Sequence, residues 1–500
     1  VHIAFLNPQG NFDPQDRYWT QHADFGGQLV YVKELALALG QMGHKVDILA
    51  RQIVDPDWKG FEAEEDHYPD APNVRILRFE CGGLGFRRKE ELWPFLGTEW
   101  VPRIHAFYGE QPAKPDISAG HYADGGLSAA LWQMDGGPPF TFTAHSLGAQ
   151  KVDRLIAEPN QTLDSLDAKY LFRRRITAER IAMNHAAVLI TSTNQERRQQ
   201  YRHPAYAGAV DPDDDRRVRV VPPGVNLTIF DMQAKAPGDD SLVSRLDSIL
   251  QRDLAEGRQD LPAIISSSRL DPKKNIVGLV RAYAASEDLQ SRANLLLVLR
   301  GVNSLREAHG LSTGEREILD QIIAVCNQHD LWGKVSGFSL AGQTEIAAAY
   351  RYLAKRRSVF ALVALYEPFG LAPLEAIAAG LPAVVTQNGG PSESLREGSS
   401  EFGVLVDPSD PADIGAGLLR LISSDKTWDK FQQLGRQRVL SHYTWEATAK
   451  GYLAAFEAAL EAPRHEPMIS IQPYFTDPKP SNDLPLEPLR RIWHRQTQNA

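Results

Sequence analysis

Residues 358–376 read SVFALVALYEPFGLAPLEA, and the change of pattern inside them sets the fold. SVFALVAL carries no charge over eight residues, as a strand covered on both faces of a parallel sheet does. YEPFG interrupts the run. Pro368 pushes Glu367 into extended backbone at the strand's end, and Pro373 fits the first turn of a helix running to Gly380. Glu367 is thereby expected at a strand's carboxyl end and Glu375 in the first helical turn, with the amides of Gly370 and Leu371 turned toward an anion. A dipole-favoured acid near a helix start accounts for Glu375 and leaves Glu367 unexplained. Two carboxylates around an anion-binding turn suit a polyol ligand whose hydroxyl groups donate to both.

The same alternation runs through most of the chain. A first series of strands is expected at HIAFLNP (2–8), KVDILAR (45–51), VRILRFE (74–80), PDISAGHY (115–122), FTFTAHS (140–146) and AAVLITST (186–193). A second is expected at AIISSS (263–268), NLLLVLRG (294–301), KVSGFSL (334–340), SVFALVAL (358–365) and PAVVT (382–386). Helical patterns lie between them, so the fold class is α/β with two doubly wound parallel sheets. The acidic loop DPDDD (211–215) and Pro222-Pro223-Gly224 mark the crossover, which divides the chain into domains 1–225 and 226–445. Ligands of open parallel sheets bind outside the strand carboxyl ends, which places the expected site in a cleft between the two halves. From about 412 the pattern is helical. It ends in a Pro-rich tail whose PYFTDPKPSND (473–483) reads as a strap laid on a surface.

Bulk properties narrow the function. Of 500 residues, 43% are apolar and 23% charged, and the formal net charge is −9 from 54 basic and 63 acidic side chains. Without a basic excess, nucleic acid is not expected as a partner. Cys81 and Cys326 stand far apart, which gives neither a disulfide framework nor a zinc site. The opening VHIAFLNPQG lacks a basic n-region and no window approaches ~18 continuous apolar residues, so no membrane segment is read and a cytoplasmic location is expected.

Four stretches carry the candidate chemistry. DFGGQLVYVKELALALGQMG (24–43) sets Gly26 and Gly27 before an apolar-periodic helix, without the G-x-G-x-x-G of dinucleotide sites. SSRLDPKKN (267–275) brings Arg269 and Lys274 to a strand's end, where two cations neutralise a diphosphate without metal. YEPFGLAPLEA is the third. TAHSLGAQK (143–151) places His145, Ser146 and Lys151 after a strand, followed by Arg173-Arg174-Arg175 on a helix, of which at least one is expected on an exposed face.

Taken together, these stretches resemble the sucrose-phosphate synthase family of retaining GT-B glycosyltransferases. The likeness spans nearly the whole chain: NPQGNFDPQD, DFGGQLVYVKE, KEELWP (89–94), HYADGG, FTFTAHSLGAQK, VVPPGVN, SSRLDPKKN, YEPFGLAPLEAIAAGLPAVVTQNGGPSE and PYFTDPKPSND. The resemblance implies an acceptor-binding first domain, a sugar-nucleotide-binding second domain, and a terminal segment 446–500 returning to the first. It makes Arg269 and Lys274 the diphosphate ligands, Glu375 the partner of ribose hydroxyls and Glu367 that of donor-sugar hydroxyls. Phe369, Gly370 and Leu371 then touch diphosphate and sugar, the backbone from Phe338 to Leu340 receives the base, and Gly27 lies by the donor. Gly26, Gln28, Lys89, Tyr122, Ser146 and Lys151 match the acceptor site. A one-residue ambiguity leaves the choice among Arg173, Arg174 and Arg175 open, with Arg174 and Arg175 preferred. His145 joins Arg269, Lys274 and Glu367 in the expected catalytic set.

The implied reaction moves glucose from UDP-glucose to fructose 6-phosphate with retention, giving sucrose 6-phosphate and UDP. No cofactor or metal is required, because arginine and lysine stabilise the leaving diphosphate. A related transferase using GDP-mannose, ADP-glucose or phosphoglycerate is the alternative. A non-catalytic sugar-nucleotide-binding protein is a third reading. No stretch reads as a fused phosphatase, so a separate sucrose-phosphate phosphatase is the expected partner.

Overall fold

The structure, a computed structural model, describes residues 1–18, 27–462 and 466–499. The chain divides into two compact units, Val1–Pro222 with Thr448–Ala500, and Pro223–Ala447.

The first unit holds eight strands: β1 (His2–Leu6), β2 (Lys45–Arg51), β3 (Glu65–Tyr68), β4 (Ala71–Phe79), β5 (Ile117–His121), β6 (Phe140–Thr143), β7 (Val188–Thr191) and β8 (Val218–Val220). Their order across the sheet is β3-β4-β2-β1-β5-β6-β7-β8. Every pair is parallel except β3 with β4. The sequence Glu65-Asp-His-Tyr68 lacks the apolar run that betrays the inner strands, since an edge strand is solvated along one side and charges there discourage pairing with another chain. The order turns around between β1 and β5, leaving a crevice at their carboxyl ends.

Helix Tyr122–Met134 packs on this sheet because Gly125 and Gly126 let it come close. A Cβ on Gly125 would collide with the Leu6 carbonyl oxygen, and one on Gly126 with the Phe142 ring. The glycines of HYADGG thus serve backbone packing. On the same core lies the terminal strap, through Tyr474, Phe475, Leu484, Leu486, Leu489 and Trp493.

The second unit carries β9 (Ala263–Ser267), β10 (Asn294–Val298), the hairpin β11 (Val302–Ser304) and β12 (Glu307–Ala308), β13 (Val335–Phe338), β14 (Val359–Leu362), β15 (Ala383–Thr386), the hairpin β16 (Arg396–Glu397) and β17 (Ser400–Glu401), and β18 (Val404–Val406). Six of them form an all-parallel sheet in the order β13-β10-β9-β14-β15-β18. Successive side chains enter opposite apolar clusters. Ile264, Leu295, Leu297 and Val359 lie on one face, and Ile265, Leu296, Val298 and Phe360 on the other. Burial on both faces explains the uninterrupted apolar runs. Here the order reverses between β9 and β14.

Replacing Phe475, fully buried beside the Trp93 ring, tests whether the strap belongs to the first unit's core. Phe475→Ala is expected to cost about 3–5 kcal/mol, read as an earlier denaturant midpoint of that unit, with the second unit's transition unmoved.

Candidate active site

In the second unit the expected groups gather where β9 and β14 part. Arg269 leaves β9 exposed to solvent, and Lys274 ends the short turn Pro272–Lys274. The Lys273 carbonyl accepts from the Leu365 amide at 2.8 Å, and the Asn275 side-chain amide donates to the carbonyls of Val363 (3.1 Å) and Pro408 (2.8 Å). These bonds zip the loop after β9 to the loop after β14. Across that seam Lys274 Nζ donates to Glu367 Oε2 at 2.6 Å, with both side chains largely buried. The turn 388–390 holds Glu367 from its other side: the Glu367 amide donates to the Asn388 carbonyl at 3.1 Å and its carbonyl accepts from the Gly390 amide at 2.9 Å. Gly389 sits at φ 103°, where a Cβ would strike the Glu367 carbonyl.

Helix Leu371–Ala378 follows, its cap Gly370 at φ 91°. Leu371 is therefore the first helical residue, and Glu375 stands in the second turn rather than the first. Proximity to the helix start cannot be what places a carboxylate there, because the dipole acts within the first turn. Burial pushes the Glu375 carboxyl up to about 7. Phe369 is half-buried and Leu340 likewise, while Phe338 ends β13 fully inside. The Phe338 carbonyl already accepts from the Leu299 amide at 2.8 Å.

The first unit builds a cleft whose lining carries three cations, Lys89, Lys151 and Arg175, and two carboxylates, Glu90 and Asp124. Lys89 opens the turn Lys89–Glu91, Tyr122 follows β5, Lys151 lies on helix Gly148–Ile156 and Arg175 on helix Phe172–His185, and all four line one cleft with Tyr170 and Phe172. The Tyr122 ring lies under two cations, Arg175 at 4.5 Å and Lys89 at 5.8 Å, and Lys151 stands 4.1 Å from the Tyr170 ring. Tyr122 takes φ 65°, which is costly for a bulky residue and concentrates at functional sites. Burial, then the charges of Arg175 and Lys89, push the Lys151 ammonium down to about 8.

Glu179 fixes the pocket's arginine. Its buried carboxylate accepts from Arg175 Nε (2.9 Å), from the Gly148 amide (2.9 and 3.0 Å) and from the Tyr206 hydroxyl. Arg175 Nη2 then donates to the Ser146 carbonyl at 2.8 Å and hydroxyl at 3.1 Å. None of the three arginines lies on an exposed face, contrary to the sequence expectation: their side chains are 29%, 18% and 6% exposed for Arg173, Arg174 and Arg175. Arg173 is held by Asp167 at 2.6 Å. Arg174 pairs with Asp483 at 3.2 Å and lies over the Tyr474 ring at 4.3 Å, so the terminal strap holds it. Of this run, Arg175 alone is a lining residue of the cleft.

Around the β1–β5 crevice, Gln28 donates to Asn7 Oδ1 at 2.9 Å and accepts from Gln9 at 3.1 Å. Gly27 is exposed at its helix start, and Gly26 lies outside the described residues. His145, half-buried at φ 57°, stands 2.9 Å from His121, Nε2 to Nδ1. Burial pushes the His145 imidazole down to about 3. Sequence reasoning passed over His121, Asn7, Gln9, Tyr170, Phe172 and Glu179. The adjacency of HYADGG and TAHS on neighbouring strand ends could have flagged His121; nothing local marks Glu179, whose role depends on tertiary contacts.

The family model "Glycosyl transferases group 1" matches residues 251–438, and "Glycosyltransferase Family 4" matches 25–229. A probable sucrose-phosphate synthase of Thermosipho melanesiensis is 39% identical over 455 residues, covering 91% of this chain and 96% of that protein. One of Beta vulgaris is 31% identical over 509 residues and 91% of this chain. The chain spans about half the length of that plant relative, 48%. Among solved structures, the sucrose-phosphate synthase of Thermosynechococcus elongatus superposes with a TM-score of 0.63 at 23% identity, over 91% of this chain and 98% of that one. Anabaena HepE in complex with UDP and glucose gives 0.57 at 14%, over 91% and 99%.

Two doubly wound parallel-sheet units matched by these families make the chain an enzyme of the GT-B glycosyltransferase class. Within that class it belongs to the sucrose-phosphate synthase family.

If Lys151 is a phosphate ligand, its depressed pKa has a measurable consequence. Affinity for a phosphate monoester is expected to fall as pH rises through about 8, where the free ammonium loses its proton, and Lys151→Met is expected to flatten that limb. Calorimetric titration across this range reads the slope; a flat wild-type profile would remove Lys151 from the site.

Proposed function

We propose that this enzyme transfers glucose from UDP-glucose to fructose 6-phosphate with retention, forming sucrose 6-phosphate and UDP. The observation that carries the reading is the convergence of Lys89, Lys151 and Arg175 on one cleft, since three cations held over aromatic rings suit a phosphoryl group on the acceptor. Unit 1 is then the acceptor domain, with Tyr122 and Ser146 beside the phosphate and Gln28 toward the sugar. Arg174, engaged by the strap, is left out of the pocket.

Unit 2 is the donor domain. Arg269 and Lys274 would meet the diphosphate, the amides of Gly370 and Leu371 its oxygens, Glu367 the glucosyl hydroxyls and Glu375 the ribose. Burial that raises the Glu375 carboxyl leaves it short of hydrogen-bond donors, which ribose hydroxyls would supply. With the Phe338 carbonyl committed to its sheet neighbour, the backbone of Ser339 and Leu340 is left to read the base.

Chemistry then follows from charge. The acceptor hydroxyl attacks the anomeric carbon on the face the UDP leaves, the bond to the diphosphate breaks, the hydroxyl proton passes to the departing diphosphate oxygen, and Arg269 and Lys274 stabilise the negative charge that builds on that diphosphate before the proton arrives. Sucrose 6-phosphate would then be a substrate for a phosphatase.

UDP release from UDP-glucose is the direct test. It is expected only with fructose 6-phosphate present, and release that requires another sugar nucleotide or another acceptor would overturn the substrate assignment. Lys274→Ala is expected to lower kcat by at least ~10² with the fold retained by circular dichroism; near-normal turnover would show that Lys274 does not stabilise the leaving group.

A further inference from the structure

We propose that His121 is a positioning residue that holds His145 in its Nδ1-protonated form, so that His145 meets a ligand as a hydrogen-bond donor and never as a base. The inference gives His145, expected in the catalytic set, a specific form, and it rests on the proposed glucosyl transfer for its kinetic consequence only.

His121 Nδ1 and His145 Nε2 lie 2.9 Å apart with the ring planes 27° from each other. A hydrogen bond of that length needs one proton between two nitrogens, and either ring could supply it. His121 is fully buried, and its Nε2 has no hydrogen-bond partner among the described residues. Were the His121 proton on Nε2, a buried N–H would stand without an acceptor, the rarer and costlier kind of orphan; a bare lone pair there is tolerated more readily. The proton therefore sits on His121 Nδ1 and is donated to His145 Nε2. A neutral imidazole carries one N–H, so the proton of His145 is on Nδ1.

Surroundings keep both rings neutral. Phe5 of β1, Tyr31 of helix Gly27–Gln41 and Tyr452 of helix Trp445–Glu461 pack against them. The Tyr31 hydroxyl donates to that of Tyr452 at 3.0 Å, which lies 2.7 Å from Thr143 Oγ1. Burial pushes both imidazoles below their ordinary range. The two rings stand on the ends of paired strands, since His121 lies opposite Thr143 in the β5–β6 register, so backbone pairing sets their spacing. A ring whose Nε2 is occupied and whose Nδ1 holds the proton has no basic nitrogen to offer.

The test uses the whole enzyme labelled with 15N-histidine and long-range proton–nitrogen correlation without substrate, the two signals being assigned by their loss in His145→Asn and His121→Phe. Both rings are expected to be protonated on Nδ1. In His121→Phe the His145 signal is expected to move toward the Nε2-protonated form that free imidazole favours, kcat to fall about tenfold, and KM for the phosphorylated acceptor to stay unchanged. His121→Asn, whose side-chain amide can donate from the same place, is expected to restore both spectrum and rate. Nε2 protonation of His145 in the wild type, or an unmoved His145 signal or unmoved kcat in His121→Phe, would overturn the proposal. Because the spectra need no substrate, they decide on His121 even if the donor sugar proves to be another.

Discussion

Parallel pairing is the constraint from which the site geometry follows. When every strand of a sheet runs the same way, all carboxyl ends emerge on one edge, and the loops leaving them must diverge where the strand order reverses. In the second unit that divergence falls between β9 and β14, which carry Lys274 and Glu367 on the loops at their ends. In the first it falls between β1 and β5, and the β5 end supplies His121 and Tyr122. Neither unit needed a special scaffold for its polar groups. The topology leaves a crevice, and polar groups can be placed at its edge.

Charge in these crevices is arranged in pairs. With a net charge of −9, the protein has no general field to attract an anion, so each cation must be held locally against the cost of its own desolvation. Arg175 is held by Glu179, whose remaining acceptor capacity is used by the Gly148 amide and the Tyr206 hydroxyl. That network ties helix Phe172–His185 to the start of helix Gly148–Ile156, and through it positions Lys151 as well. Removing Glu179 would therefore disturb two cations together, although it lines no cleft itself.

How much of this was legible in the sequence differs by element. Inner strands showed themselves because burial on both faces favours apolar residues at nearly every position, as in VFAL. β3 did not, because Glu65 to Tyr68 needs only one neighbour and keeps its charges in water, and β18 is three residues long among turn formers. Of the candidate groups, Lys274 and Glu367 could be found because proline and glycine mark the turns that carry them. The turn of the helix on which Glu375 stands escapes a reading of the pattern, since proline at 373 fits several offsets from a helix start. Arg173 to Arg175 could not be sorted by pattern: Arg173 meets Asp167 and Asp483, Arg174 meets Asp483 and Arg175 meets Glu179, and tertiary packing decides which arginine meets which.

The ion pair between Lys274 and Glu367 bears on how the proposed donor site is prepared. An ammonium with no anion nearby would extend into water and lose rotamer freedom again on binding. Held by Glu367 at 2.6 Å, Lys274 is already partly desolvated and already aligned across the seam between the two loops. An incoming diphosphate then substitutes one anion for another instead of burying a hydrated cation from the start, and the net cost is smaller than that of a first desolvation. Glu367, relieved of part of its lysine contact, regains acceptor capacity in the place where the proposed reading sets a sugar hydroxyl. In the proposed reading the same pair would couple two recognition events, diphosphate by the lysine and hydroxyl by the carboxylate.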